Sequence, residues 1–121
     1  MHPTVLLIDD NADTCELLRT SLHLNGYNVE TASTGRDALY KLHSGLRPCV
    51  ILMDLNMPVM TGFEFRQEQL RHEAFNDIPV IVYSGVVDVQ ENAQHLNAAA
   101  YAQKPLQLEE LVSLVRRHCL K

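Results

Sequence analysis

Residues 50–58 read VILMDLNMP: four apolar residues lead directly into a carboxylate at Asp54, and Pro58 closes the stretch. An apolar run of this length is typical of a strand that is buried on both faces, as in a parallel sheet. Asp54 then lies at the carboxyl end of the strand, where binding sites form in open α/β sheets. It is therefore either a turn residue or a reactive group, and the stretch alone does not separate the two.

Strand-like and helix-like patterns alternate along the rest of the chain. Strand patterns cover residues 5–8, 27–32, 49–53, 79–83 and 99–102. Helical patterns run from about 11 to 24, from 33 or 34 to about 45, from 63 to 73 with weak apolar spacing, from 88 to about 96, and from 108 to 119. Such alternation predicts one α/β domain over residues 1–121, a doubly wound five-stranded parallel sheet flanked by five helices.

The composition excludes several classes of protein. A net charge of −5 over 121 residues argues against binding to a phosphate backbone, which needs a basic surface. No apolar run approaches the ~20 residues of a membrane span, and no signal-peptide pattern opens the chain. The three cysteines, Cys15, Cys49 and Cys119, are far apart, which favours reduced thiols over a disulfide framework. We therefore expect a cytoplasmic protein with no direct contact to nucleic acid or membrane.

Polar residues follow four of the five strand patterns. They are Asp9 and Asp10 after the first, Asp54 after the third, Ser84 after the fourth and Lys104 after the fifth. Because these strand ends share one edge of a doubly wound sheet, the five side chains can converge on one crevice. Each has a simpler explanation by itself, as a charge at a helix N-terminus, a turn residue or a solvated lysine. Their combination on one edge favours a site.

The chemistry of such a group is specific. Three carboxylates brought close together repel each other unless a cation joins them or one is protonated. Oxygen ligands of this kind suit Mg²⁺, which is usually bound by one or two carboxylates together with a phosphate. A carboxylate can also attack phosphorus to give an aspartyl phosphate. A metal ion and an ammonium group would then offset the charge on the transferring phosphoryl oxygens.

With these residues the chain closely resembles the receiver domains of two-component response regulators. The resemblance spans nearly the whole chain and implies a flavodoxin-like, CheY-like sheet with the strand order 2-1-3-4-5. The matching motifs are LIDDN at 7–11, MDLNMP at 53–58, Met60 with GFE at 62–64, YSG at 83–85 and YAQKP at 101–105.

The resemblance implies a role for each acidic residue. Asp54 would accept a phosphoryl group from a phosphohistidine of a sensor histidine kinase or a histidine phosphotransfer protein. Asp9 and Asp10 would be the acid pair for Mg²⁺, Asp10 directly and Asp9 through a water molecule. The backbone carbonyl of Asn56 would be a further ligand, and Asp54 itself would also contact the metal.

The resemblance also implies roles for residues on the last two strands. Ser84 and Lys104 would contact the phosphoryl oxygens, and Tyr101 would be the aromatic residue whose rotamer reports the state of the switch. The Lys104–Pro105 peptide bond would be cis. Asn97 stands where the family frequently has Gly, which is tolerable because Asn enters left-handed backbone more readily than most residues.

Three functions remain open from the sequence. The leading hypothesis is a phosphorylatable switch that acts on an output domain or a downstream protein, with autodephosphorylation as its only turnover and dimerisation undetermined. The second is an interaction module that has the fold but does not signal by phosphate. The third is a turnover phosphatase, for which the chain offers no length for a substrate cap.

Overall fold

The computed structural model describes residues 2–55, 60–85, 93–94, 96–104 and 107–119. Its centre is a five-stranded sheet in the order β2-β1-β3-β4-β5, and every neighbouring pair of strands is parallel. The strands are β1 (Thr4–Ile8), β2 (Asn28–Ala32), β3 (Val50–Asp54), β4 (Val80–Ser84) and β5 (Ala100–Gln103). The predicted fold class and strand order are confirmed.

Four helices lie within the described residues, namely α1 (Ala12–Leu24), α2 (Gly35–His43), α3 (Gly62–Leu70) and α4 (Leu108–Cys119). The helix predicted at 88–96 falls mostly outside the described residues, although Ala93, Gln94 and Leu96 have helical backbone. Asn56, Pro58 and the Lys104–Pro105 bond also involve residues outside the described part, so the expectations for them stay predictions. The helices predicted from about 11 and from 33 or 34 begin at Ala12 and Gly35, directly after the N-caps Asn11 and Thr34.

The alternation of side chains along the central strands builds two apolar layers. Residues such as Leu6 and Met53 point to one face of the sheet and pack with α2 and α3. Residues such as Leu7 and Leu52 point to the other face and pack with α1 and α4. All five residues of β3 are buried. The strand that ends in Asp54 is therefore fixed on both faces, as the apolar run predicted.

Local signals position the loops at both edges of the sheet, where the strands begin and where they end. Thr61 and Glu64 form a reciprocal capping box at the start of α3, with Oε1 of Glu64 accepting from the Thr61 N–H at 2.9 Å. Gly62 packs tightly, since a Cβ there would lie 3.2 Å from the Cα of Leu55. Asn97 has a φ of 58°, which confirms that this position needs left-handed backbone.

The expectation that all three cysteines are reduced is contradicted. Cys49 and Cys119 form a disulfide, with their Cα atoms 5.0 Å apart, and Cys15 is the free cysteine. Cys49 directly precedes β3 and Cys119 ends α4, and both pack against the same apolar layer. Because this helix crosses the sheet beside the start of β3, two residues separated by 70 positions become neighbours. Spacing along the sequence could not reveal that proximity.

Candidate functional site

Three carboxylates meet at the carboxyl ends of β1 and β3. Oxygen atoms of Asp9, Asp10 and Asp54 lie within 4.8 Å of one another. Asp9 and Asp54 are buried, whereas Asp10 is exposed to solvent. Asp9 and Asp10 directly follow β1, and Asp54 is the last residue of β3, the strand that pairs with β1. The pairing of these strands therefore explains why residues 45 positions apart share one site.

A lysine provides positive charge beside the acids. The Nζ atom of Lys104 lies 3.2 Å from Oδ2 of Asp54 and donates a hydrogen bond to it. The backbone places Lys104 there, because its N–H donates to the Ser84 carbonyl at 2.9 Å, one step beyond the last paired residues of β4 and β5. The side chain of Lys104 is about one-third exposed, so solvent also reaches it.

Ser84 and Tyr101 lie in different surroundings. Ser84 is the last residue of β4, is fully buried, and follows Tyr83, which is in register with Asp54. Tyr101 lies on β5 in register with Val82 and is 41% exposed. The structure thus brings Ser84 to the edge that carries Asp54 and leaves the ring of Tyr101 at the surface of the outer strand.

Tyr83 is a further member of the site, to which the sequence assigned no role beyond its place in a buried strand and in the motif YSG. Its hydroxyl donates a hydrogen bond of 2.6 Å to Oδ2 of Asp9, and its ring lies below Nζ of Lys104 at 5.6 Å from the centroid. Burial, followed by the hydrogen bond and the charge of Asp9, raises the pKa of Tyr83 far above its usual range. One sequence signal pointed to this role: a buried tyrosine needs a partner for its hydroxyl, and this one precedes Ser84.

Cys15 borders the same acids from α1. Its thiol donates to the backbone carbonyl of Asp9, with a distance of 3.3 Å between sulfur and oxygen. Burial, with a further contribution from the charges of Asp9 and Asp10, raises the pKa of the Cys15 thiol to about 11. A neutral thiol adds no further negative charge to an acidic cluster. Cys15 therefore acts as a packing residue at this edge.

The arrangement fits a hard divalent cation. The donors are carboxylate oxygens from three residues that lie close enough to share one ion, and no thiolate or imidazole belongs to that group. Asp10 is open to solvent, which suits an ion that keeps several of its water molecules. The carboxylate of Asp54 lies close to the other two carboxylates and to the ammonium group of Lys104. This arrangement is suited to reaction with a phosphoryl group.

The chain spans about half the length of the curated relatives that it matches. It is 40% identical over 118 residues to the response regulator MprA of Mycolicibacterium vanbaalenii, covering 96% of this chain and 50% of that protein. The response regulator MprA of Mycobacterium tuberculosis is 38% identical over the same length, with the same coverage.

Solved structures agree in fold over the full chain. The chemotaxis response regulator CheY4 of Vibrio cholerae superposes with a TM-score of 0.88 at 31% identity, over 99% of this chain and 100% of that one. The receiver domain of a sensor histidine kinase from Pseudomonas aeruginosa superposes with a TM-score of 0.87 at 25% identity, over 98% of both chains. That protein contains a magnesium ion coordinated in its active site cleft.

A family model described as the response regulator receiver domain matches residues 5–116. This match covers β2 to β5, all of β1 except Thr4, and most of α4. The family is a signalling domain of two-component systems. Within the described residues no helix has the length and apolar character needed to cross a membrane. Together with the order of the strands and the group of acids at their ends, the match shows that this chain belongs to the family of response regulator receiver domains.

Proposed function

We propose that Asp54 is the phosphoacceptor of this receiver domain and that Asp9, Asp10 and Asp54 bind Mg²⁺ for the transfer. One observation carries the proposal: the buried Asp54 carboxylate lies within 4.8 Å of two other acids and 3.2 Å from the ammonium group of Lys104. The backbone carbonyl of Asn56 completes the proposed ligand set. Bound there, Mg²⁺ would offset charge on the phosphoryl oxygens and on the crowded carboxylates.

Residues of this chain carry out the transfer and bind the phosphoryl oxygens. A carboxylate oxygen of Asp54 attacks phosphorus, the bond between phosphorus and the donor imidazole nitrogen breaks, and the electron pair of that bond stays on the nitrogen. Lys104 then contacts a phosphoryl oxygen, since its ammonium group already lies beside Asp54. Ser84 supplies a hydroxyl at the same edge of the sheet, which gives the phosphorylated form a hydrogen bond of its own.

Phosphorylation of Asp54 is also proposed to change the conformation of the domain and its contacts with other proteins. A phosphoryl group at Asp54 shifts an existing equilibrium between two conformations, in which Ser84 and Tyr101 are the switch residues. The donor is a sensor histidine kinase or a histidine phosphotransfer protein, and the recipient is an output domain or a downstream protein. Hydrolysis of its own aspartyl phosphate is the only turnover that we assign to residues 1–121, which we treat as one receiver domain in the cytoplasm.

Acetyl phosphate, a small phosphoryl donor, tests the assignment of Asp54. Incubation with acetyl phosphate and Mg²⁺ is expected to add one phosphate mass to the protein, measured by intact mass spectrometry. The added mass is expected to vanish in Asp54→Asn and when EDTA removes the metal. Asp77→Asn is the matched control, because Asp77 is an exposed acid outside the acidic group. Labelling that persists in Asp54→Asn would refute the acceptor assignment, and no labelling by any donor would favour an interaction module without phosphate signalling.

A further inference from the structure

Tyr83 contacts both an acidic residue and the basic residue of the site, Asp9 and Lys104. Its hydroxyl donates to Oδ2 of Asp9 at 2.6 Å, and its ring lies 5.6 Å from Nζ of Lys104. We propose that Tyr83 is a positioning residue that fixes the carboxylate of Asp9 for Mg²⁺ binding at the proposed phosphotransfer site. The inference rests on the proposed function, and it assigns a specific task to a residue on β4.

Asp9 has a donor on each carboxylate oxygen. Oδ1 accepts from the backbone N–H of Asn11 at 2.9 Å, and Oδ2 accepts from the hydroxyl of Tyr83. Two donors on opposite oxygens fix both the position and the plane of the carboxylate. Asp9 is only 2% exposed, so bulk water has little access to replace either donor. Its orientation is therefore set by the protein before any ion arrives.

The contact between Tyr83 and Asp9 crosses a strand that contains neither residue. Tyr83 lies on β4 and Asp9 follows β1, and β3 lies between these two strands in the sheet. Only a long side chain with a donor at its tip can span that distance from a buried strand position. Phenylalanine, leucine or valine would fill the apolar layer between the sheet, α1 and α4, but none of them supplies the donor.

A purely structural explanation accounts for only part of this geometry. A buried tyrosine hydroxyl generally finds a partner, and a backbone carbonyl would satisfy that need. Here the partner is instead a carboxylate of the acidic group, and the bond is short enough to be charge-assisted. The ring contact to Lys104 survives if phenylalanine replaces the tyrosine, whereas the hydroxyl contact does not. The two contributions can therefore be separated by experiment.

Without the hydroxyl, Oδ2 of Asp9 would lie against an apolar ring edge with no donor. The carboxylate would then turn toward water or toward another donor, away from the position that it shares with Asp10 and Asp54. Loss of a group that orients a metal ligand generally weakens metal binding. We therefore expect Tyr83→Phe to weaken Mg²⁺ binding while the fold is retained.

Calorimetric titration of Mg²⁺ into the whole chain tests the inference with a double-mutant cycle. The dissociation constant is expected to rise about tenfold in Tyr83→Phe, the lower end of the usual effect for such partners. The same substitution is expected to have no effect in an Asp9→Asn background, since Tyr83 acts through Asp9. Tyr27→Phe is the matched control, because Tyr27 is buried in the same apolar layer. Its dissociation constant is expected to equal that of the wild type.

Each outcome has a distinct meaning. An unchanged or lower dissociation constant in folded Tyr83→Phe overturns the inference, and so does an equal effect in the Asp9→Asn background. If the wild type binds Mg²⁺ and is phosphorylated in both cases, the proposed function survives that result. A wild type that binds no Mg²⁺ refutes the proposed metal site and this inference together. If Tyr83→Phe does not fold, the ¹³Cζ resonance of Tyr83 in the wild type decides: it must shift along the Mg²⁺ titration, and a resonance that stays fixed overturns the inference.

Discussion

The ammonium group of Lys104 lies 3.2 Å from Oδ2 of Asp54, although the two residues are 50 positions apart in the chain. Asp54 is almost fully buried there, and two further carboxylates lie within 4.8 Å. A buried carboxylate in acidic surroundings needs a compensating charge, because desolvation and like-charge repulsion both disfavour it. Lys104 provides that charge within the part of the chain that the structure describes.

Replacement of Lys104 by methionine is expected to destabilise the metal-free protein. The substitution retains most of the apolar stem but leaves Asp54 without its ammonium partner. The free energy of unfolding should fall by about 1–3 kcal/mol, a range that allows for the partial exposure of the lysine. Urea unfolding in EDTA measures it. Lys41→Met is the matched control, since Lys41 pairs with Glu30 away from the site. A loss no larger than in that control would contradict the role of Lys104.

Mg²⁺ is expected to stabilise the wild type more than a variant that lacks Asp10, the exposed carboxylate of the acidic group. Asp10→Ala removes a carboxylate of the acidic group but leaves the buried packing unchanged. At a concentration about 100 times the dissociation constant, bound metal adds about 2.7 kcal/mol to the wild type. Thermal melts with and without MgCl₂ give the comparison, and Asp13→Ala in the first turn of α1 is the neighbouring-acid control. Equal shifts in wild type and Asp10→Ala would remove the metal role of Asp10.

A buried arginine joins α3 to the segment that precedes β5. The guanidinium of Arg66 donates to the carbonyl of Leu96 at 2.9 Å and to the carbonyl of Asn97 at 3.1 Å. It also donates to Oε1 of Gln69 at 2.7 Å. Arg66 is 7% exposed and Leu96 is 5% exposed, so water has little access to replace the bond to the Leu96 carbonyl. The left-handed turn at Asn97 is thus fixed from the side of α3.

Arg66→Met is expected to lower the free energy of unfolding by about 1–3 kcal/mol, because it leaves buried acceptors without donors. Amide hydrogen exchange is expected to accelerate at 96–99 more than in the central strands. Urea unfolding and exchange mass spectrometry measure the two effects. Arg71→Met is the control, since the side chain of Arg71 is 74% exposed and pairs only with Glu68 among the contacts described. Uniform acceleration across the domain would contradict a local anchoring role.

The sequence predicted those features that a single strand or helix determines by itself. Long apolar runs identified the strands, and the polar residues after four of the five strand patterns placed Asp9, Asp54 and Lys104 at one edge of the sheet. The apolar spacing of the third helix was weak in the sequence for a physical reason. Two of the residues that it buries are Arg66 and Gln69, so its buried face is partly polar and its apolar spacing is weak.

Contacts between distant elements were missed because they depend on the assembled sheet. Tyr83 looked like one more residue of an apolar strand, and its partner Asp9 is 74 positions away. Cys49 and Cys119 looked unrelated, because only the packing of α4 against the sheet brings them together. For Tyr83 the residue type gave a partial signal, because a buried hydroxyl needs a partner, whereas the two cysteines gave none. The identity of the partner required the tertiary structure.

Cys15 is expected to react slowly with alkylating reagents in the native, metal-free protein. Burial and the nearby acids raise the pKa of its thiol from 9.0 to about 11, which lowers the thiolate fraction at pH 8 by about 100-fold. The raised value also fixes the sign of the pH effect: this contribution to stability is fully present below pH 9 and is lost as the pH rises toward 11. Iodoacetamide labelling before and after urea denaturation measures the difference. Equal rates in native and unfolded protein would contradict the burial of this thiol.

Reduction of the Cys49–Cys119 disulfide is expected to destabilise the domain while leaving its site intact. The bond closes a loop with a sequence separation of 70, and a chain-entropy estimate for that length gives about 4.4 kcal/mol as the upper limit. Cys49→Ser should reproduce the effect of reductant, and Cys15→Ser is the control because Cys15 is outside the bond. Urea unfolding with and without reductant measures the loss, and intact mass under both conditions shows whether the bond forms. A mass that reductant leaves unchanged would contradict the disulfide and would show that α4 packs on the sheet without a covalent link.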